Sequence, residues 1–164
     1  GGMKLLTHNI LQSPVHGITE RYPMGLEVRE ADICPADYNP ESILAMLPRV
    51  DWQVLLDAVK AIGGEDALGV DEKLPADKDE VYRRCEAGED GMLRVMHRVL
   101  LEARVVDGFL ICPSTKRRFR IHDAVPNFLP PRSAQMQQTP GWEVQPSLDP
   151  PGDEDEPSSV AQME

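Results

Sequence analysis

Segment 103–129, ARVVDGFLICPSTKRRFRIHDAVPNFL, carries three short β-like runs punctuated by turn signals, and a chain that contains it has to build a sheet there. Asp107-Gly108 lies between two β-branched or apolar runs, and glycine tolerates the positive φ of a tight turn, so the pair predicts a hairpin. The run 109–112 stops at Pro113, which has no N–H for a ladder, and Pro-Ser-Thr-Lys reads as the next turn. In the third run Phe119 and Ile121 fall on one face, and Arg118, Arg120 and His122 on the other. Pro126 interrupts the apolar segment 124–129, which can line a sheet edge but cannot continue as a central strand. A meander of this size hides only one of its faces, so other parts of the chain must supply a second layer.

Upstream, 3–9 (MKLLTHN) has a short apolar core and reads as a strand able to join that sheet. The polar, Pro/Gly-containing stretch 12–25 is a loop, and 26–34 (LEVREADIC) is a second strand. The pattern then turns helical. Asn39 caps a helix with Pro40 in its first position and Ile43, Leu44 and Leu47 at helical spacing, ended by Pro48. Asp51 caps a second helix, whose stripe of Trp52, Leu55, Leu56, Val59 and Ile62 ends at Gly63-Gly64. A polar connection, 63–78, leads to a weaker helix over 79–87. Asp90 then caps a stronger one carrying Met92, Val95, Met96, Val99 and Leu100. The expected fold is therefore α+β. A small antiparallel sheet is built from both chain ends (3–38 with 103–130), and a helical domain (39–102) is inserted between them.

From residue 131 the composition changes. Residues 131–164 hold one Lys/Arg against seven Asp/Glu, so they carry −6 of the chain's −11, and the stretch is rich in proline. Its apolar content is too low to offset ordering entropy, and it reads as a disordered acidic tail. The net charge argues against a dedicated binder of nucleic-acid backbones. With no long apolar run and no signal-peptide pattern, the expectation is a soluble intracellular protein. Three cysteines, an odd number, suggest no disulfide framework.

Little in the sequence points to catalysis. The four histidines are isolated from any nucleophile–base pattern, and the glycines at 63, 64 and 69 neither follow a strand nor open a helix. Cys112-Pro-Ser-Thr115 resembles half of a zinc knuckle with threonine in place of the second thiolate, and Cys34-Pro-Ala-Asp37 repeats the theme. Structural zinc takes four Cys/His ligands, so these two would need help from Asp37, His8, His16 or His122. Two small buried thiols at strand ends are the plainer reading, and Cys85 is a packing or surface residue. Lys116, Arg117, Arg118 and Arg120 form the one basic cluster. As part of an RNA-binding surface it would need stacked aromatics beside it, and Phe119 is the one that qualifies.

Five blocks, MKLLTHNIL, ICPADYNPE, RVDWQVLLDAV, MHRVLLEARVVDGFLICP and AVPNFLP, taken together and in this order, resemble the multifunctional methyltransferase-activator subunit family over about residues 3–130. The resemblance implies a zinc-ribbon-like β domain made from both termini with an inserted helical domain, and no catalytic site or cosubstrate of its own. It also implies heterodimers with class I S-adenosylmethionine-dependent methyltransferases that act on tRNA, small-subunit rRNA and a translation release factor, in cytoplasm and nucleus. Metal-binding members carry two cysteine pairs. Here Ser13 and approximately Ile18 stand at the first pair, and Cys112 faces Thr115 at the second, so no zinc or other cofactor is expected. The partner interface is expected on the edge formed by 5–10, at Leu5, Thr7, Asn9 and Ile10, together with Phe119, Ile121, Val125, Pro126, Asn127 and Phe128. Val125 and Phe128 could instead pack inward on the helices. The alternative function is a stand-alone RNA-binding zinc-ribbon-like protein.

Overall fold

A computed structural model of the chain describes residues 2–128. The expected disordered tail, 131–164, lies outside the described residues. In order, the elements are β1 (Met3–Lys4), α1 (Leu5–Ile10), β2 (Gly25–Ile33), α2 (Pro40–Met46), α3 (Trp52–Ile62), α4 (Lys78–Glu86), α5 (Asp90–His97), β3 (Ala103–Ile111), β4 (Arg118–His122) and β5 (Val125–Pro126). Short 3-10 turns follow α2 (Leu47–Arg49) and α3 (Glu65–Leu68), and a π-helical turn (Arg98–Glu102) joins α5 to β3. The fold is α+β.

Its organising strand is β3. It pairs antiparallel with β2 along its whole length, from Ile33↔Ala103 to Gly25↔Ile111. Its other edge is shared by β1, at Met3↔Val105, and by β4, from Gly108↔Ile121 to Ile111↔Arg118. β5 then closes onto β4.

The expected hairpin at Asp107-Gly108 is absent, because both residues lie inside β3. Gly108 is needed there for space: a Cβ on it would come within 2.1 Å of the Glu27 carbonyl oxygen. The pairing slips at that point, between Val28 and Glu30 and again between Glu30 and Ala31, leaving one extra residue on each strand. The hairpin lies further on, at Asp123-Ala124, where both residues have positive φ (52° and 64°) between the paired His122 and Val125, as a type I′ turn requires. The first strand is also shorter than expected. β1 ends at Lys4, and 5–10 forms the helix α1.

The helices follow local chemistry closely. The Asn39 side chain accepts hydrogen bonds from the Glu41 and Ser42 N–H groups at the start of α2, a cap worth about 1 kcal/mol. Asp51 caps α3, and Gly63, at φ 124°, ends it. Asp77 caps α4, which begins at Lys78. Asp90 is the first residue of α5 and caps nothing; its carboxylate pairs with Arg94 at 2.8 Å. The buried faces of α3, α4 and α5 join Val105, Leu110, Phe119 and Ile121 of the sheet in one continuous apolar cluster. Cys85 is part of it. No helix among the described residues is long and apolar enough to cross a membrane.

Candidate partner interface

The sheet ends at β5, and the residues beyond β4 alternate between its two faces. Val125 is opposite His122, Pro126 opposite Ile121, and the Asn127 N–H donates to the Arg120 carbonyl. Val125 therefore shares the outer face with His122 and is 60% exposed. Phe128 turns back against Phe119, ring centroids 5.4 Å apart, and packs on the core. The alternative raised from sequence thus divides: Phe128 goes inward and Val125 outward. Because Asn127 bonds toward β4, the nitrogen of Pro126 faces the open side, where it has no hydrogen to offer another strand.

The expected residues at the amino end separate in the same way. The segment 5–10 is helical and is no strand edge. Ile10, at the end of α1, is 67% exposed and Thr7 is half-buried. Leu5, Phe119 and Ile121 are buried, because each lies on the core side of its element. Asn9 is 2% exposed and does structural work. Its amide donates to the Asp51 carbonyl at 2.9 Å and accepts the Asp51 N–H at 2.8 Å, imitating a peptide group and tying α1 to the start of α3. The Tyr22 hydroxyl donates to the Asn9 carbonyl. Beside it, His8 donates through Nε2 to the Met24 carbonyl at 2.8 Å, while Nδ1 is buried without a partner. Burial pushes this imidazole below its ordinary value, against the opposing effect of the Met24 bond. Of the ten expected interface residues, Ile10, Val125 and Asn127 are exposed, and Thr7, Pro126 and Phe128 are half-buried.

The knuckle-like cysteines lie at opposite ends of the sheet. Cys34 follows Ile33, the partner of Ala103, whereas Cys112 follows Ile111, the partner of Gly25. At about 3.3 Å per residue, a nine-residue strand keeps the two far beyond any shared coordination sphere. The fold does bring Ser13 to Cys112: its hydroxyl donates to the buried sulfur at 3.1 Å, with the Thr115 N–H at 3.5 Å. Burial pushes the Cys112 thiol up, but the Ser13, Thr115 and Ser114 donors outweigh it and leave the thiol at about 7. One thiol facing two hydroxyl residues does not fit a tetrahedral zinc site. No cluster of three His, Cys, Asp or Glu residues suited to a metal occurs among the described residues.

A cleft of about 540 Å³ between α5 and the segments 36–38 and 69–72 holds the nearest approach to an acid–base pair, His97 Nε2 at 3.3 Å from Glu102. Both groups are already engaged. His97 donates to the Ala36 carbonyl, and Glu102 accepts from the Ala36 N–H and from Arg98. The arrangement pins residue 36 to the end of α5 and supplies no nucleophile.

Compared with known proteins, residues 4–123 match the family model described as Trm112p-like protein. The chain is 41% identical over 128 residues to the mouse multifunctional methyltransferase subunit TRM112-like protein, covering 77% of this chain and 94% of that one. It is 39% identical to the bovine protein of the same name, with the same coverage. Among solved structures it is similar to a chain of the E. cuniculi Mtq2–Trm112 complex, described as responsible for methylation of the eRF1 translation termination factor. There the TM-score is 0.48 at 16% identity, over 77% of this chain and 95% of that one.

Proposed function

The chain belongs to the Trm112p-like family, and on that premise we propose that it is a non-catalytic subunit that docks on class I S-adenosylmethionine-dependent methyltransferases and activates them. The substrates of those enzymes are tRNA, small-subunit rRNA and a translation release factor, and we propose that the complexes work in both cytoplasm and nucleus. One observation carries the reading: the sheet ends in a two-residue strand whose outward side chain, Val125, is a large apolar group left 60% exposed. Covering it with an apolar surface of an enzyme removes that area from water and covers the β5 edge of the sheet. Ile10 is the second large apolar side chain exposed on the described surface.

Coexpression with candidate methyltransferases tests the reading. Val125→Asp should leave the isolated chain folded and cost the complex on the order of 2 kcal/mol or more, enough to lose copurification. A variant that folds and still copurifies at wild-type yield places the interface elsewhere. We further propose that the subunit works without zinc, since Ser13 and Thr115 replace thiolates around Cys112. Chelator should leave its melting temperature unchanged, and elemental analysis returning one zinc per chain would overturn this.

A further inference from the structure

The outer face of the sheet carries a cluster that neither the core nor the docking edge uses. Phe109 stands on it, opposite Glu27 on β2 and Arg120 on β4. Three guanidinium groups lie over its ring, Arg118 at 4.2 Å from the centroid, Arg29 at 5.0 Å and Arg120 at 5.7 Å. Arg117, next to them in sequence, lies instead over the inward-facing Phe119 at 5.2 Å from its centroid and is not part of the cluster. Arg118 pairs with Glu27 at 2.7 Å and Arg120 with Asp107 at 2.9 Å, while Arg29 has no carboxylate partner among the described residues. In a chain of net charge −11, cations are thus gathered on one surface and only partly neutralised.

Stability does not account for this grouping. Exposed ion pairs contribute little, and three like charges around one ring repel one another. The arrangement is complementary to a ligand that is both anionic and planar. Guanidinium groups bind phosphate through paired N–H donors, and they stack on flat π systems. From this we propose that the outer sheet face binds a single-stranded polynucleotide, with phosphates on Arg29 and Arg120 and a base stacked on the Arg118–Phe109 pair. A duplex keeps its bases stacked on each other and offers none to this face. An acidic peptide would satisfy the arginines but make no use of the aromatic plane.

The test needs no methyltransferase, so its outcome is independent of the docking reading. The full chain is titrated against a labelled mixed-sequence RNA of about 15 nucleotides and its DNA counterpart, a length covering a typical single-strand site. Two phosphate contacts predict binding that weakens roughly sevenfold between about 50 and 200 mM salt. Arg29→Gln should lower the slope of log affinity against log salt by roughly 0.7. Phe109→Ala should weaken binding about tenfold and leave that slope intact, as loss of one stacked base does. Should Phe109→Ala fold poorly, Phe109→Leu keeps the apolar bulk and removes the plane. Preference for RNA over DNA identifies RNA as the ligand, and equal binding supports the strand chemistry common to both. No binding of either up to roughly 100 μM protein, the weak end of non-specific affinity, would overturn the proposal. So would affinity that survives both Phe109→Ala and the Arg118→Gln/Arg120→Gln pair. Tighter binding of a poly-glutamate peptide than of RNA would assign the face to an acidic protein instead.

Discussion

The two faces of the sheet put phenylalanine to opposite uses. Phe119 on β4 is 3% exposed and packs with Leu110, Ile121 and Phe128 in the core. Phe109, on the neighbouring strand and one residue from Leu110, stands outside among arginines. Polar groups buried on the inner side depend on partners within the chain, as the Asn9 amide and the His8 Nε2 on α1 do with backbone atoms of Asp51 and Met24. The outer face makes no such demand, so its arginines settle for exposed ion pairs and a shared ring. A residue's type thus says less about its role than the side of the sheet on which the backbone places it.

Substitutions that treat the two faces alike test that contrast. Phe119→Ala should cost about 3–5 kcal/mol of unfolding free energy, as large core truncations do, and a loss under about 1 kcal/mol in denaturant titration would show that the inner face is loosely packed. Next is Asn9→Ala, which strands the Asp51 N–H and carbonyl and should cost about 2 kcal/mol. An unchanged midpoint there would mean that water replaces the amide. On the outer face, Phe109→Ala should cost no more than about 1 kcal/mol, the worth of exposed cation–π contacts. A cost matching that of Phe119→Ala would erase the distinction between the faces.

A still smaller effect is tied to pH. His8 is held neutral by burial, so its folded pKa lies below the unfolded value of about 6.5. The unfolded chain then binds more protons, and the stability His8 contributes is complete above pH 6.5 and is lost as pH falls through the folded value. The melting temperature should decline below pH 6.5, and less steeply in His8→Gln, which can still donate to Met24. Identical slopes would remove His8 from the account.

Much of the fold was readable from local pattern. Asn39-Pro40, Asp51 and Gly63 mark helix ends because the groups they satisfy are only a few residues away. The alternation of 118–122 gave the two faces of β4 correctly for the same reason. The exposure of the residues proposed for the interface was readable only in part. Val125, Ile10 and Asn127 are exposed as an interface requires, whereas Leu5, Asn9, Phe119 and Ile121 are spent inside, and apolar character alone does not separate an anchor from a core residue.

What the sequence by itself determined is the run of helices between β2 and β3, together with the caps at Asn39 and Asp51 and the proline that limits the last strand. Tertiary structure decided the rest. Asp107-Gly108 carries the strongest hairpin signature in the chain, yet it lies within a strand, and the real turn at Asp123-Ala124 contains no glycine. Alternation from the buried Val105 would have sent Phe109 into the core. The paired bulges beside Gly108 shift the count by one residue, so that Gly108 and Leu110 face inward and Phe109 faces out. Bulges arise where β2 and β3 meet, and these strands are about 80 residues apart in sequence, beyond the reach of any local pattern.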